Sequence, residues 1–241
     1  MRSITKSAQP RTVTSVQCAP TTKLGTAPHA RAAFDQLDKA DVREALAREQ
    51  GHLCGFCMRR IRHDGQDARG EFTTKIAHRQ PIHVSPGTAL TWSNLLASCD
   101  GGQRASTGVK TCDYAQGHTA LTVDPTSAHS VRQLRYERGD PNGAPHEERS
   151  RESTDGLYLR TDNPQLRTDV ETLGLNGGDL PALRGAALKA FRALLQRKPK
   201  HWTPSVRAAF FATWKAAGAP KLPDFVGVVE AWVAGQDMHC Q

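Results

Sequence analysis

Four cysteines constrain this chain more than any other feature: Cys54 and Cys57 in a Cys-Gly-Phe-Cys run, then Cys99 and Cys112. Thiols at the first spacing make a knuckle turn, with Gly55 expected to allow the tight bend. Two such pairs suit a tetrahedral, redox-inert zinc ion held by four thiolates. The second pair is split by twelve residues, a wide gap for a knuckle. Read alone, Cys99 or Cys112 also fits a small buried apolar residue. Cys18 and Cys240 lie outside the frame and are not needed for it.

With 241 residues, the chain has room for one large domain, or a small domain with an appended part. Hydrophobic residues make up 38% and the mean hydropathy is -0.54. No run approaches the length of a membrane span, and Met1 to Lys6 lacks the apolar core of a signal peptide. The expected setting is cytoplasmic, with no membrane, and thiols there stay reduced, which favours a metal over disulfides. A formal charge of +8 and a pI of about 9.4 point to an anionic partner, nucleic acid first, although charge alone also serves solubility. Arg59, Arg60, Arg62, Arg69 and Arg79 crowd the first cysteine pair, and their planar forks suit phosphate.

Residues 1–27, rich in Thr, Ser, Pro and Lys, read as an extended N-terminal arm. From Pro28 to Gln50 an apolar stripe predicts helix, with a restart at Asp38 or Asp41 and a stop at Gly51. Residues 28–125 form the core region. Within it, Glu71 to His78 is β-like, Trp92 to Ala97 reads as a short helix or turn, Asp100 to Thr111 as a loop, and a short helix follows Cys112. Residues 126–241 are mixed, with strand-like Val131–Tyr136 and Gly156–Leu159 around a turn-rich loop at 139–145. From residue 179 they are mostly helical: Asp179 caps one helix, Thr203-Pro204 opens a second and Pro223-Asp224 a third. Phe210, Phe211, Trp214 and Trp232 recur at helical spacing and are expected in the core.

Several motifs carry a family likeness. Leu53-Cys54-Gly55-Phe56-Cys57-Met58, Lys75-Ile76-Ala77-His78, Trp92-Ser93-Asn94-Leu95-Leu96-Ala97-Ser98-Cys99 and Thr111-Cys112-Asp113-Tyr114-Ala115-Gln116-Gly117 resemble the HNH endonuclease motif, in the branch found in Septu and retron anti-phage systems. Met1 to Lys6 with Pro10, Arg43 to Gly51, and Leu173-Gly174-Leu175-Asn176 with Leu180 and Arg184 are similar to the same branch. The resemblance spans about three-quarters of the chain, most strongly 43–117. It implies an α+β fold: a zinc-stapled ββα-metal HNH core with helical N- and C-terminal additions. It also implies a metal-dependent nuclease cutting nucleic acid, DNA favoured and RNA possible, beside an ATPase partner of a defence system.

Carried onto these positions, the resemblance makes His78 the general base that activates water for in-line attack on phosphorus. It makes Asn94 a brace for the loop around the site, though a turn-capping Asn is an equal reading of that side chain. Asp113 becomes a ligand for a catalytic Mg²⁺ or Mn²⁺, and Cys54, Cys57, Cys99 and Cys112 the ligands of structural Zn²⁺. Two departures stand out. Ala77 replaces the carboxylate that usually precedes the histidine and helps hold the catalytic metal, which leaves His83 or His118 as replacement ligands. Gln116 replaces a lysine often found there, removing a phosphate contact. Ala77 also supports a second reading: a zinc-stapled nucleic-acid-binding or assembly subunit with a degenerate nuclease centre.

Overall fold

The computed structural model describes residues 1–66, 73–103, 108–139, 156–197 and 203–235. It is a mixed α/β structure with nine α-helices and two small antiparallel sheets among the described residues. In chain order these are α1 (Arg11–Cys18), α2 (Ala27–Asp35), α3 (Lys39–Glu49), β1 (Lys75–His78), β2 (Leu95–Ser98), α4 (Cys112–Gln116), α5 (Ala128–Arg132), β3 (Arg135–Arg138), β4 (Leu157–Arg160), α6 (Pro164–Thr172), α7 (Leu180–Gln196), α8 (Pro204–Ala217) and α9 (Val226–Val233). One buried apolar cluster draws on residues from Met1 through Val228, so it crosses the expected boundaries at 27 and 125 without a break.

The N-terminal segment is not an extended arm. Its hydroxyl-rich composition hides three anchors, Met1, Ile4 and Val13, each at most 4% exposed. Lys6 reaches inward to bind Glu49 and the Leu95 carbonyl, and its ammonium lies 4.3 Å from the Trp92 ring centroid. The predicted helix over 28–50 is two helices. Asp38 caps α3 by accepting from the N–H groups of Ala40 and Asp41, satisfying donors that α3 cannot use itself.

β1 and β2 pair from Lys75–Ser98 to His78–Leu95. The segment expected as a short helix or turn is split: Trp92–Asn94 forms one 3₁₀ turn and Leu95–Ser98 is strand, buried throughout. A two-stranded sheet leaves edges unpaired. On β2 that edge is met by Gln50, which accepts from the Ala97 N–H (2.8 Å) and donates to the Ala97 and Leu53 carbonyls (2.8 Å each). Gln50 is only 2% exposed, so its amide replaces a missing strand.

The second sheet repeats the device. β3 pairs with β4, and the other side of β4 is met by Asn176, which accepts from the Leu159 N–H (2.7 Å) and donates to its carbonyl (2.9 Å). Arg184, 1% exposed, donates to the carbonyls of Leu157 (3.2 Å) and Leu175 (2.5 Å) and to Asn176 Oδ1 (3.4 Å). Residues 131–133 are helix and turn rather than strand, where α5, capped by Ser127, runs to Arg132. Helix α6, not anticipated in the sequence, starts at Asn163-Pro164, where the Asn163 side chain accepts from Gln165 and Leu166. Asp179 precedes α7 without a side-chain cap and pairs instead with Arg59. The third C-terminal helix begins at Val226, three residues after Pro223.

Phe191 on α7 is the hub of the C-terminal packing, with Phe210, Phe211, Trp214 and Trp232 edge-on or tilted around it at centroid distances of 4.8–6.3 Å. These four aromatics do pack together as expected, but only Phe191 at their centre is fully buried. The turn-rich loop at 139–145 lies outside the described residues, apart from Gly139.

Arg184 gives the sharpest stability test. Arg184→Met keeps most of the volume but strands the acceptors on β4 and Leu175, each worth about 1–3 kcal/mol when left unsatisfied. The variant is expected to lose about 3 kcal/mol of unfolding free energy by chemical denaturation. A loss below roughly 1 kcal/mol would contradict the bracing role.

Candidate metal centre and the adjoining histidine cavity

The four cysteines meet. Cys54, Cys57, Cys99 and Cys112 bring their Sγ atoms within 4.8 Å of one another, with Cys54–Cys112 and Cys57–Cys99 each at 3.8 Å. Zinc–sulfur bonds of about 2.3 Å define a tetrahedron with edges of about 3.8 Å, so this spacing fits a four-thiolate zinc site. Among the described residues it is the one such group of three or more His, Cys, Asp or Glu ligands. Cys112 is fully buried and Cys99 packs against the core, so both also contribute apolar packing, but their convergence with Cys54 and Cys57 is what could hold a metal.

Local structure explains how so uneven a spacing closes. Leu53 bridges Arg60, the Cys54 N–H donates to the Arg59 carbonyl and the Met58 N–H to the Cys54 carbonyl, forming the knuckle. Its positive φ falls on Met58 (68°), not on Gly55 as expected. The wide gap before Cys112 is folded back by Gly101 and Gly102, with φ of 64° and 83°. A Cβ at Gly101 would overlap the Thr111 carbonyl, and one at Gly102 the Val109 carbonyl. The Thr111 N–H closes the loop on Gly101 (2.8 Å), and the Cys112 N–H is held by the Leu173 carbonyl (2.8 Å).

The electrostatics of the cluster are compatible with a bound cation. Burial opposes ionisation of Cys54, yet the neighbouring thiols of Cys112, Cys57 and Cys99 bring its pKa well below the ordinary thiol value. Cys112 is pushed well above it, chiefly by its hydrogen bond to Cys54. One thiolate thus suppresses the next, and a dication bound among them relieves that repulsion.

Beside this centre is an open cavity of about 690 Å³, lined by His78, Asp113, His83, His118, Arg31 and Phe34 among others. His78 ends β1, and Asp113 sits in the first turn of α4, immediately after a metal-cluster cysteine. His78 Nε2 lies 3.0 Å from the Ala89 carbonyl, which can only accept. Nε2 therefore carries the proton, and Nδ1 keeps its lone pair, with no protein hydrogen bond on it among the described residues. Phe34 packs edge-on against the ring at 4.6 Å. Burial pulls the His78 pKa down to about 4, opposed by the Ala89 hydrogen bond and aided by Arg31 and Lys39. Burial raises Asp113 to about 6, helped by charge on Cys54 and opposed by Lys75.

Asn94 does not line this cavity. It is 3% exposed and braces the loop between the strands, accepting from the Gln80 N–H (2.7 Å) and donating to the Gln80 and Thr88 carbonyls (3.0 and 3.1 Å). Ala77 is wholly buried opposite Leu96 and offers the cavity nothing. Gln116 is a tie, not a vacated phosphate contact: its amide donates to the carbonyls of His78, Arg79 and Thr119 at 3.0–3.1 Å.

The arginine cluster is likewise redirected. Arg59 pairs with Asp179, Arg60 with Asp224, Arg62 with Asp64 and Arg79 with Asp124; Arg69 lies outside the described residues. The cations that border the cavities are instead Arg31, Lys39, Arg43 and Lys75, the last three on a second hollow of about 630 Å³ that shares Phe34, Ile76 and Asp113 with the first. Apolar periodicity marked α2 and α3 as helices but carried no sign of which face would meet His78.

No protein-family model matches the chain, and a search of the curated proteins found no match. Among the described residues no helix is long and apolar enough to cross a membrane.

Two measurements follow from this geometry. Elemental analysis of purified protein is expected to give about one zinc per chain, and Cys57→Ser to lose it together with thermal stability; a metal-free wild type of unchanged stability would refute the centre. Nitrogen-detected NMR should show the His78 ring neutral, with the proton on Nε2, from about pH 8 down to about pH 5. Because its folded pKa is depressed, the stability this group contributes is full above the ordinary imidazole pKa and fades as pH falls toward 4. An ordinary titration near neutral pH would contradict it.

Proposed function

We propose that this chain is an HNH-type endonuclease, with β1, β2 and α4 forming its ββα-metal core and the four-cysteine centre as its staple. The observation carrying the reading is the pairing of an Nε2-protonated His78 with Asp113 on one open cavity. A neutral imidazole with a free Nδ1 lone pair is equipped to take a proton from a water attacking phosphorus. The Ala89 carbonyl fixes the tautomer and ring orientation that this step needs. Asn94 positions both by bracing the loop that carries Ala89. Arg31, Lys39, Arg43 and Lys75 supply positive charge on either side for flanking phosphates.

Asp113 is the one carboxylate lining this cavity among the described residues, and its hard oxygens suit Mg²⁺ or Mn²⁺. A divalent ion bound there would neutralise charge building on the phosphoryl and leaving oxygens. DNA is the favoured substrate, RNA the other, and a defence-system ATPase is the proposed partner, on the strength of the motif resemblance. Buried Ala77 favours the second reading, a zinc-stapled nucleic-acid-binding or assembly subunit without cleavage.

Plasmid cleavage in Mg²⁺ or Mn²⁺, with and without the neighbouring ATPase, separates the two. The wild type is expected to nick or linearise DNA, and His78→Ala to lose at least about 100-fold in rate. Equal inertness of both proteins on DNA and RNA, while nucleic acid is still bound, would establish the second reading.

A further inference from the structure

We propose that His83 and His118 form a two-imidazole binding site for a borderline divalent ion of the Co²⁺ or Ni²⁺ class, at the rim of the His78–Asp113 cavity. The ion-binding claim stands on the geometry alone. Its use in phosphodiester cleavage rests on the nuclease reading above.

The two rings come from chain segments 35 residues apart and meet with centroids 4.5 Å apart, at 75°. His83 sits in the turn after β1, where the N–H groups of Val84 and Ser85 both donate to the Pro81 carbonyl. His118 follows Gly117 at the end of α4. The two segments are tied at their bases. Gln116 bonds the carbonyls of His78 and Arg79 on one side and that of Thr119 on the other, while Asn94 holds Gln80 from beneath. The juxtaposition is therefore set by buried amides rather than by the histidines themselves.

Both histidines are exposed, and among the described residues neither has a protein hydrogen bond or ion pair. Packing gives little reason for them to converge, since an exposed aromatic pair contributes on the order of 1 kcal/mol. Two unclaimed imidazoles facing one solvent-open cavity are, chemically, two nitrogen ligands.

Imidazole nitrogen binds the later first-row dications far better than Mg²⁺, which prefers carboxylate and water oxygens. With Ala77 contributing no oxygen, the cavity's donors are mostly nitrogen. Asp113 does not join the two imidazoles in a close three-ligand cluster; the four sulfurs are the one such cluster described. The remaining coordination positions are thus left to water and to phosphate oxygens, the open arrangement a catalytic ion needs. Arg31, on the same cavity wall, adds charge for that phosphate.

The test uses untagged, zinc-loaded protein titrated with Ni²⁺ by calorimetry. Wild type is expected to bind one further ion per chain. The His83→Gln/His118→Gln double variant should bind it at least about 10-fold more weakly, with zinc content and thermal stability unchanged. His52→Gln/His63→Gln is the control, because that pair is 6.0 Å apart between centroids; it should bind as wild type does. The proposal is overturned if the His83/His118 variant binds Ni²⁺ undiminished, if the loss follows His52 and His63, or if wild type binds no ion beyond zinc. Ni²⁺ binding lost in the double variant, in a protein that cleaves neither DNA nor RNA, would keep the site and remove the nuclease reading. Should cleavage occur, Co²⁺ or Ni²⁺ is expected to support it better than Mg²⁺ in wild type, and the double variant to lose that preference.

Discussion

Four sulfurs drawn within 4.8 Å of one another set the terms for everything around them. They come from a knuckle, the end of β2 and the start of α4, and those pieces share no long helix or extensive sheet that would otherwise hold them together. Buried thiols at this distance suppress one another's ionisation, and their spacing could hold a cation such as zinc among them. Because Cys112 opens α4, the same cluster determines where Asp113 stands. Because Cys99 follows β2 directly, it also determines where β1 and His78 end. A structural centre thereby dictates the spacing of a chemical one.

The rest is held by amide side chains doing the work of absent strands. Gln50 satisfies the outer edge of β2, Asn176 that of β4, Asn94 the loop between β1 and β2, and Gln116 the loops beyond them. Sheets of two short strands present many unpaired backbone groups, and buried ones must find partners. An amide carries both donor and acceptor, so one residue can satisfy an N–H and a carbonyl of the same strand. Arg184 extends this to three acceptors where β4 and the turn before α7 meet.

The cavity beside the four-cysteine cluster combines an uncharged histidine, one carboxylate among the described residues and a border of cations. Its cations are not those the local sequence advertised. The arginines near the cysteine knuckle pair with Asp179, Asp224, Asp64 and Asp124, whereas Arg31, Lys39 (itself paired with Asp35) and Arg43 arrive from α2 and α3. Phe34 from α2 packs edge-on against His78, whose basicity is lowered chiefly by burial and further by Arg31 and Lys39.

What the sequence determined by itself was local chemistry: the Cys-x-x-Cys turn, the Asp38 cap, the strand ending on His78, the short helix after Cys112, and the residue types able to bind zinc or move a proton. These depend on spacing along the chain, which sequence records directly. Only the tertiary structure decided that the twelve-residue gap closes, that Met1, Ile4 and Val13 belong to the core, that Gln116 is a brace, and that His83 meets His118. Each of those depends on backbone groups brought together from distant segments. Which carbonyl needs a donor, and which carboxylate reaches an arginine first, becomes defined only once the chain has folded.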